Sequence, residues 1–218
     1  MPKLVEQSFE IVASTPNLIQ HIERAARVCY LSEPQYGWFP IEEQKVKRDE
    51  FIKNLIRRGH ESVLEHGSIS VEVITNRSIS HEIVRHRIAS YSQESQRYCN
   101  YSVEEKFYGE IAFIKPSKFK EGTPIYKVWY GAMEEAQQRY MELIGYGASA
   151  EWARGVLPND TKTKLFMTMN VREWRHFFKL RTDSAAHPQM RELTIPMLMD
   201  FAGRWPALFG DIVENLQK

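Results

Sequence analysis

Apolar residues recur every three or four positions from Leu18 through Ile19, Ile22, Ala25 and Ala26 to Cys29, which predicts a helix with one buried stripe. Thr15-Pro16 ahead of it offers an N-cap and a proline at the first helical position, and Cys29 falls on the stripe, hence in the core. Phe51, Ile52, Leu55 and Ile56 mark a second helix over about Glu42–Arg58, stopped by Gly59. The period then changes to two. Ile69, Val71 and Val73 alternate with Ser70 and Glu72, which predicts a strand with one buried face. Ser78 is placed to cap a helix that carries Ile79, Ile83 and Val84 into Arg85-His86-Arg87. Weaker strand signals lie at Arg97–Tyr101 and Ile111–Ile114.

Thr123-Pro124 opens the longest helix, to about Ile144, with Val128, Trp129, Met133, Ala136, Tyr140 and Leu143 facing inward. Ser149 starts a short helix that Pro158 ends. Asn170-x-x-Glu173 reads as a capping box, with Asn in place of Ser or Thr, before a helix to about Arg181. Pro188 opens the last long helix, which Pro196 should kink or break. Long helices with a few strands predict an α+β fold. The polar stretch from Lys115 to Pro124 is short enough to be a loop, so residues 1–218 read as a single domain.

Composition narrows the function classes. Twenty-nine basic against 28 acidic residues give a net charge of +1, which argues against binding a polyanion through overall charge. Two cysteines, Cys29 and Cys99, exclude a disulfide scaffold or a four-cysteine zinc site. Neither a signal peptide nor a membrane span is legible, so a cytoplasmic protein is expected. The glycine-rich nucleotide cradles G-x-G-x-x-G and G-x-x-x-x-G-K-[ST] are absent, as is G-x-S-x-G. His81 and His86 are five apart, about 140° around a helix, and cannot share one metal face. His60 and His66 bracket Glu61 and Glu65 without a third ligand, so no metal is expected and His60 reads as a turn residue.

The chemistry-bearing stretch runs from Arg85 to Tyr98 and concentrates arginine, serine, glutamine and tyrosine with little aliphatic anchor. Guanidinium, hydroxyl and amide donors together suit phosphate oxygens. Arg85 and Arg87 lie about 200° apart on a helix, so either the helix ends there or they serve different ligands or subunits. Farther on, Arg172, Arg175 and His176 share a helix face at i, i+3 and i+4. From these residues alone, a site for a phosphorylated small molecule competes with an RNA-binding surface built on Arg85, Arg87 and Arg97 with Tyr91, Tyr98 and Tyr101.

Arg85-His86-Arg87, seven residues, then Ser95 with Arg97-Tyr98 resembles the signature of the flavin-dependent thymidylate synthases. Ala25–Tyr30, Gly59-His60-Glu61-Ser62 with Glu65-His66, Arg154–Pro158, Asn170-Val171-Arg172 through Leu180-Arg181, and Ala186–Arg191 resemble further blocks in the family's order. The resemblance implies an α+β protomer with a small, mostly antiparallel sheet, in a homotetramer with active sites at subunit junctions. It implies methylation of dUMP to dTMP with methylenetetrahydrofolate as carbon donor, tetrahydrofolate as product, and FAD reduced by NADPH as hydride source. Nucleic acid and membrane are not expected as partners. A flavin reductase acting on another nucleotide is the nearer alternative.

Position by position, the resemblance places Ser62, Arg85, His86, Arg87, Gln93, Asn170, Val171, Arg172 and His176 on the flavin. It places Glu82, Ile83, Val84, Arg85, Gln93, Glu94, Ser95, Gln96, Arg97, Arg154 and Arg181 at the nucleotide, with Arg181 catalytic through polarisation of the pyrimidine. Four positions depart from the common pattern: Ser92-Gln93 for Asn-Glu, His176 for Asn, and Glu82 for Gln. Ser95 has no base placed to activate it and is assigned to binding.

Overall fold

A computed structural model describes residues 2–29, 31–32, 41–103 and 110–216; Tyr30, which closes the first of the resembling blocks, lies outside them. The strands are β1 (Lys3–Val5), β2 (Ser8–Ser14), β3 (Ser68–Asn76), β4 (Ala89–Gln93), β5 (Ala112–Ile114) and β6 (Lys162–Asn170). The helices are α1 (Leu18–Val28), α2 (Ile41–Arg57), α3 (Arg77–Ile83), α4 (Pro124–Gly145), α5 (Ala150–Ala153), α6 (Val171–Arg181), α7 (Pro188–Arg204) and α8 (Pro206–Leu216). Among the described residues there are also stretches of 3-10 helix at Glu61–His66 and Arg154–Val156. The fold is α+β, as the pattern predicts.

Strand order in the larger sheet is β2-β3-β6-β4, while β1 and β5 pair in parallel apart from it. Thr15 bonds Ser68 at one end of the β2–β3 pair and Gln7 bonds Thr75 at the other, an antiparallel register. Ser70–Thr168 and Arg77–Thr161 give β3–β6 the same sense. Packing divides the chain into two compact units: Met1–Ser8, Glu72–Arg85 and Tyr91–Phe166 in the first, and Phe9–Val71, His86–Ser90 and Met167–Lys218 in the second.

The first unit centres on Tyr101, Ile111, Phe113, Trp129, Met133, Tyr140 and Ala153. Thr123 caps α4 by accepting from the Tyr126 N–H, and Trp129, Met133 and Tyr140 form its buried face. Val128 departs from the expected stripe and stands in solvent, because it sits one position off the 129-133-140 row. Asp160 ties this unit together. It accepts from Trp129 Nε1 at 2.8 Å through one oxygen and from Asn76 Nδ2 at 2.9 Å through the other.

The second unit packs α8 on α7 and α2, and α6 on α7. Its densest region is aromatic: Trp174, Phe177, Phe178, Phe201 and Phe209 are fully buried, with Trp174 stacked on Phe178 at 5.5 Å and Phe201 edge-on to Phe178 at 5.0 Å. Gly67 allows the 3-10 turn, α1 and α6 to close on one point. A Cβ there would lie 2.4 Å from the Leu18 side chain and 3.3 Å from that of Val171.

Several sequence expectations are corrected. α1 starts at Leu18 after Asn17, which takes a left-handed conformation; Thr15 instead pairs with Ser68 through backbone and hydroxyl. Cys29 lies beyond the last turn of α1 and is exposed. Asn76, not Ser78, caps α3, and α3 ends at Ile83, before the Arg85-His86-Arg87 triplet. Arg97–Tyr101 is turn, since Tyr98 and Cys99 N–H groups close back on the Ser95 carbonyl. Pro196 lies inside a helix that continues to Arg204, and α8 follows it. The strands at Ser8–Ser14, Ala89–Gln93 and Lys162–Asn170 were not predicted; the last two hold serine, threonine and methionine but no valine or isoleucine.

Candidate active site

In the second unit, α6 sorts its residues by face. Trp174, Phe177 and Phe178 point into the core, while Arg172, Arg175, His176 and Lys179 line a cleft of about 450 Å³ with Glu61, Glu65, Ile88, Asn170 and Glu173. The helix begins without a connecting residue, because Asn170 ends β6 and accepts from the Glu173 N–H at 2.8 Å. Arg172 spans the cleft rim to Glu65 at 2.6 Å and sits 3.8 Å from Glu61. A neighbouring cleft of about 340 Å³ brings Ser62 together with Arg172, His60 and Cys29. Val171 is fully buried against Gly67, and its N–H donates to the Gly67 carbonyl at 2.8 Å.

Arg175 shares the cleft face but serves the fold. It is 2% exposed and its terminal nitrogens reach both Asp211 oxygens at 2.7 Å, with a further bond to the Leu208 carbonyl. Burial opposes ionisation of Asp211, but the Arg175 guanidinium outweighs it and holds the carboxyl below its ordinary range.

His86, another of the expected flavin contacts, is buried, 5% exposed. Its Nδ1 lies 2.9 Å from Glu173 Oε1, and Arg181 Nε donates to its Nε2 at 3.1 Å. Phe177 and His176 stand edge-on to the ring at 5.0 and 5.6 Å. Burial, reinforced by the Arg181 and His176 charges, lowers the pKa of His86 against the opposing pull of Glu173. Ligand atoms of His86, Glu173 and His176 also lie within 4.8 Å of one another, a three-ligand arrangement that sequence spacing did not suggest. Since the Arg181 donor fixes the lone pair on Nε2, the proton of neutral His86 sits on Nδ1 toward Glu173, and a cation there would have to displace it beside a guanidinium.

In the first unit, Ile83 is fully buried and Glu82 is half-buried, while Val84 and Arg85 are exposed beyond the end of α3. Arg87, which belongs to the second unit, is likewise exposed. Neither guanidinium holds a hydrogen bond or ion pair among the described residues. Gln93 donates to Ser80 at 2.9 Å and Thr163 at 3.2 Å; Glu94 is held by Lys162 at 2.7 Å and the Tyr101 hydroxyl at 3.0 Å. Ser95 Oγ accepts the Arg97 N–H at 3.3 Å. Arg97 and Arg154 both meet Glu151, one at its carboxylate at 2.6 Å and one at its carbonyl at 3.2 Å. Gln96 Nε2 is buried with no partner among the described residues. Of the three tyrosines offered as an RNA stacking surface, Tyr98 is exposed, Tyr101 is in the core, and Tyr91 bonds the Ile83 carbonyl.

A family model described as thymidylate synthase complementing protein matches residues 10–207. The chain belongs to that family. Proteins named flavin-dependent thymidylate synthase resemble it at 36% identity in Pyrococcus furiosus, over 89% of this chain and 78% of the relative, and at 37% in Geobacter sulfurreducens, over 92% and 84%. A protein of the same name from Mycobacterium tuberculosis is 32% identical over 87% and 78%. Two residues that pair with predicted site residues escaped sequence reasoning. Glu173 was read as half of a capping box, and only the fold shows its carboxylate turned to His86. Glu151, in a short helix 54 residues from Arg97, carried no local signal.

Proposed function

We propose that the protein methylates dUMP to dTMP, with methylenetetrahydrofolate as carbon donor and FAD reduced by NADPH as hydride source. The shared name of the relatives supports the reaction. The observation in this chain that carries it is that the Arg85 and Arg87 guanidiniums are each exposed and hold no hydrogen bond or ion pair among the described residues. Such groups suit the diphosphate of a flavin dinucleotide. Arg172 joins them, since its bonds to Glu65 and Glu61 are surface ion pairs of small worth that a phosphate can replace. Ser62, His86, Gln93, Asn170, His176 and the Val171 backbone complete the flavin contacts. FAD when bound would supply the hydride, so that tetrahydrofolate leaves.

Ser95, Gln96, Arg97 and Arg154 form the nucleotide cradle, with Glu82, Ile83, Val84, Arg85, Gln93 and Glu94 around it. The orphaned Gln96 amide fits this assignment, because a buried donor without a partner is uncommon and a ligand acceptor would satisfy it. The exposed Arg97–Glu151 pair can likewise exchange for a phosphate. Arg181 is the catalytic residue: a guanidinium at the N3 and carbonyl edge of the pyrimidine favours the ionised ring and enriches C5, the carbon to be methylated. Preorganised charge of this kind is worth ~3–4 kcal/mol of barrier. The active unit is a cytoplasmic homotetramer with sites at subunit junctions.

Arg181→Ala tests the reading. Purified protein carrying FAD is supplied anaerobically with NADPH, dUMP and methylenetetrahydrofolate, and dTMP is assayed. The variant should keep its flavin spectrum and lose dTMP formation by about 100-fold or more. Near-normal turnover would remove the catalytic role of Arg181, and a wild-type protein that takes up no FAD would remove the mechanism.

A further inference from the structure

We propose that Glu173 is a positioning residue for Arg181, acting by fixing the tautomer of His86 between them. The inference rests on the reading of Arg181 given above, and its geometry is a directed chain of hydrogen bonds. Arginine Nε carries a hydrogen and no available lone pair, and the group does not deprotonate in proteins. Its contact at 3.1 Å therefore requires a lone pair on His86 Nε2. A neutral imidazole then has its one proton on Nδ1, which lies 2.9 Å from Glu173 Oε1. Glu173 accepts, His86 relays, and Arg181 donates. No other assignment of hydrogens to the neutral ring satisfies both contacts.

The carboxylate is free to do this because α6 does not need it as a cap. In a capping box the third helical residue reaches back to the N-cap backbone; here Asn170 caps the Glu173 N–H from its side, while the Glu173 carboxylate bonds His86. Without the carboxylate, Nδ1–H loses the acceptor it has at 2.9 Å, and that bond no longer favours the Nδ1–H tautomer. In the Nε2–H tautomer two donors face each other across 3.1 Å, and the alternative is for the ring to turn away. Either way the guanidinium loses its anchor at Nε. Glu173, Arg181, His176 and Phe177 face His86, and the Glu173 carboxylate is the acceptor within hydrogen-bond distance of Nδ1. A ring with a lowered pKa is the neutral relay this scheme needs.

Two measurements test it. Two-bond nitrogen–proton correlation spectra of histidine-labelled wild-type protein, with His86 assigned by its loss in His86→Gln, should show the Nδ1–H form; an Nε2–H form overturns the proposal whether or not the Glu173 variants fold. Glu173→Leu should then lower kcat for dTMP about 10- to 100-fold, the cost of one charge-assisted hydrogen bond, with FAD content retained and the KM for dUMP nearly unchanged. Glu173→Gln, whose amide oxygen still accepts from Nδ1–H, should recover most of that loss. A merely structural glutamate would lower thermal stability in both variants and leave the tautomer and kcat of the folded protein alone, which overturns the proposal. Wild-type protein that shows the Nδ1–H form yet makes no dTMP sinks the reading of the reaction instead, so the two failures are distinguishable.

Discussion

His86 sits where burial and the Glu173 carboxylate act on a titratable ring in opposite directions, and burial wins. Its pKa in the fold lies below the ordinary 6.5, so the unfolded chain takes up a proton at this residue before the folded one does. Stability from this group is therefore complete above about pH 6.5 and declines as pH falls from there toward the folded value. Thermal unfolding followed from about pH 8 to about pH 5 should show this loss, and His86→Gln should flatten it. A wild-type slope unchanged in the variant would mean that the acid sensitivity belongs to other groups. The same proton acts on the relay, for an imidazolium presents donors on both nitrogens and cannot accept from Arg181.

The helix-opening devices show how far sequence carries at the level of elements. β3 and β6 each run straight into a helix, and each ends on an asparagine whose Oδ1 accepts at 2.8 Å from the N–H three residues on, Ile79 in one and Glu173 in the other. Asn170 was legible as a cap because Glu173 completed a familiar spacing. Asn76 was not, because Ser78 offered an equally good capping side chain two residues later, and local chemistry alone ranks the two together. β6 itself escaped notice because Thr163, Leu165, Met167 and Met169 alternate inward without β-branched aliphatics. Replacing Asn170 with alanine should cost about 1 kcal/mol, the worth of a cap. Asn76→Ala should cost more, since Asn76 is fully buried and also donates to Asp160. Denaturant unfolding ranks the two, and an equal loss would show that the Asp160 bond contributes nothing.

For the whole molecule, the arginine signature and the flanking blocks gave the family, whereas packing partners brought together from distant segments did not show in the sequence. Glu151 reaches Arg97 and Asp211 reaches Arg175 only after the chain has folded. No described helix is long and apolar enough to cross a membrane. The proposed assembly makes a prediction at this scale. Sedimentation equilibrium should give four chains of 25.6 kDa, and dilution that dissociates them should release FAD if the sites lie at subunit junctions. A monomer that holds FAD at one equivalent per chain would overturn the junction reading.

The division into two units has a consequence for how the protein is made. The chain passes from one unit to the other five times, and the segment Met167–Lys218 brings α6, α7 and α8 with the aromatic residues around Trp174. During synthesis α1 and α2 leave the ribosome more than a hundred residues ahead of these helices of their unit. Their apolar faces wait uncovered until α6, α7 and α8 follow, in the kind of interval that chaperones serve. For the same reason no single cut in the chain yields either unit intact, and a nascent chain stopped before Met167 lacks the core that α6, α7 and α8 supply.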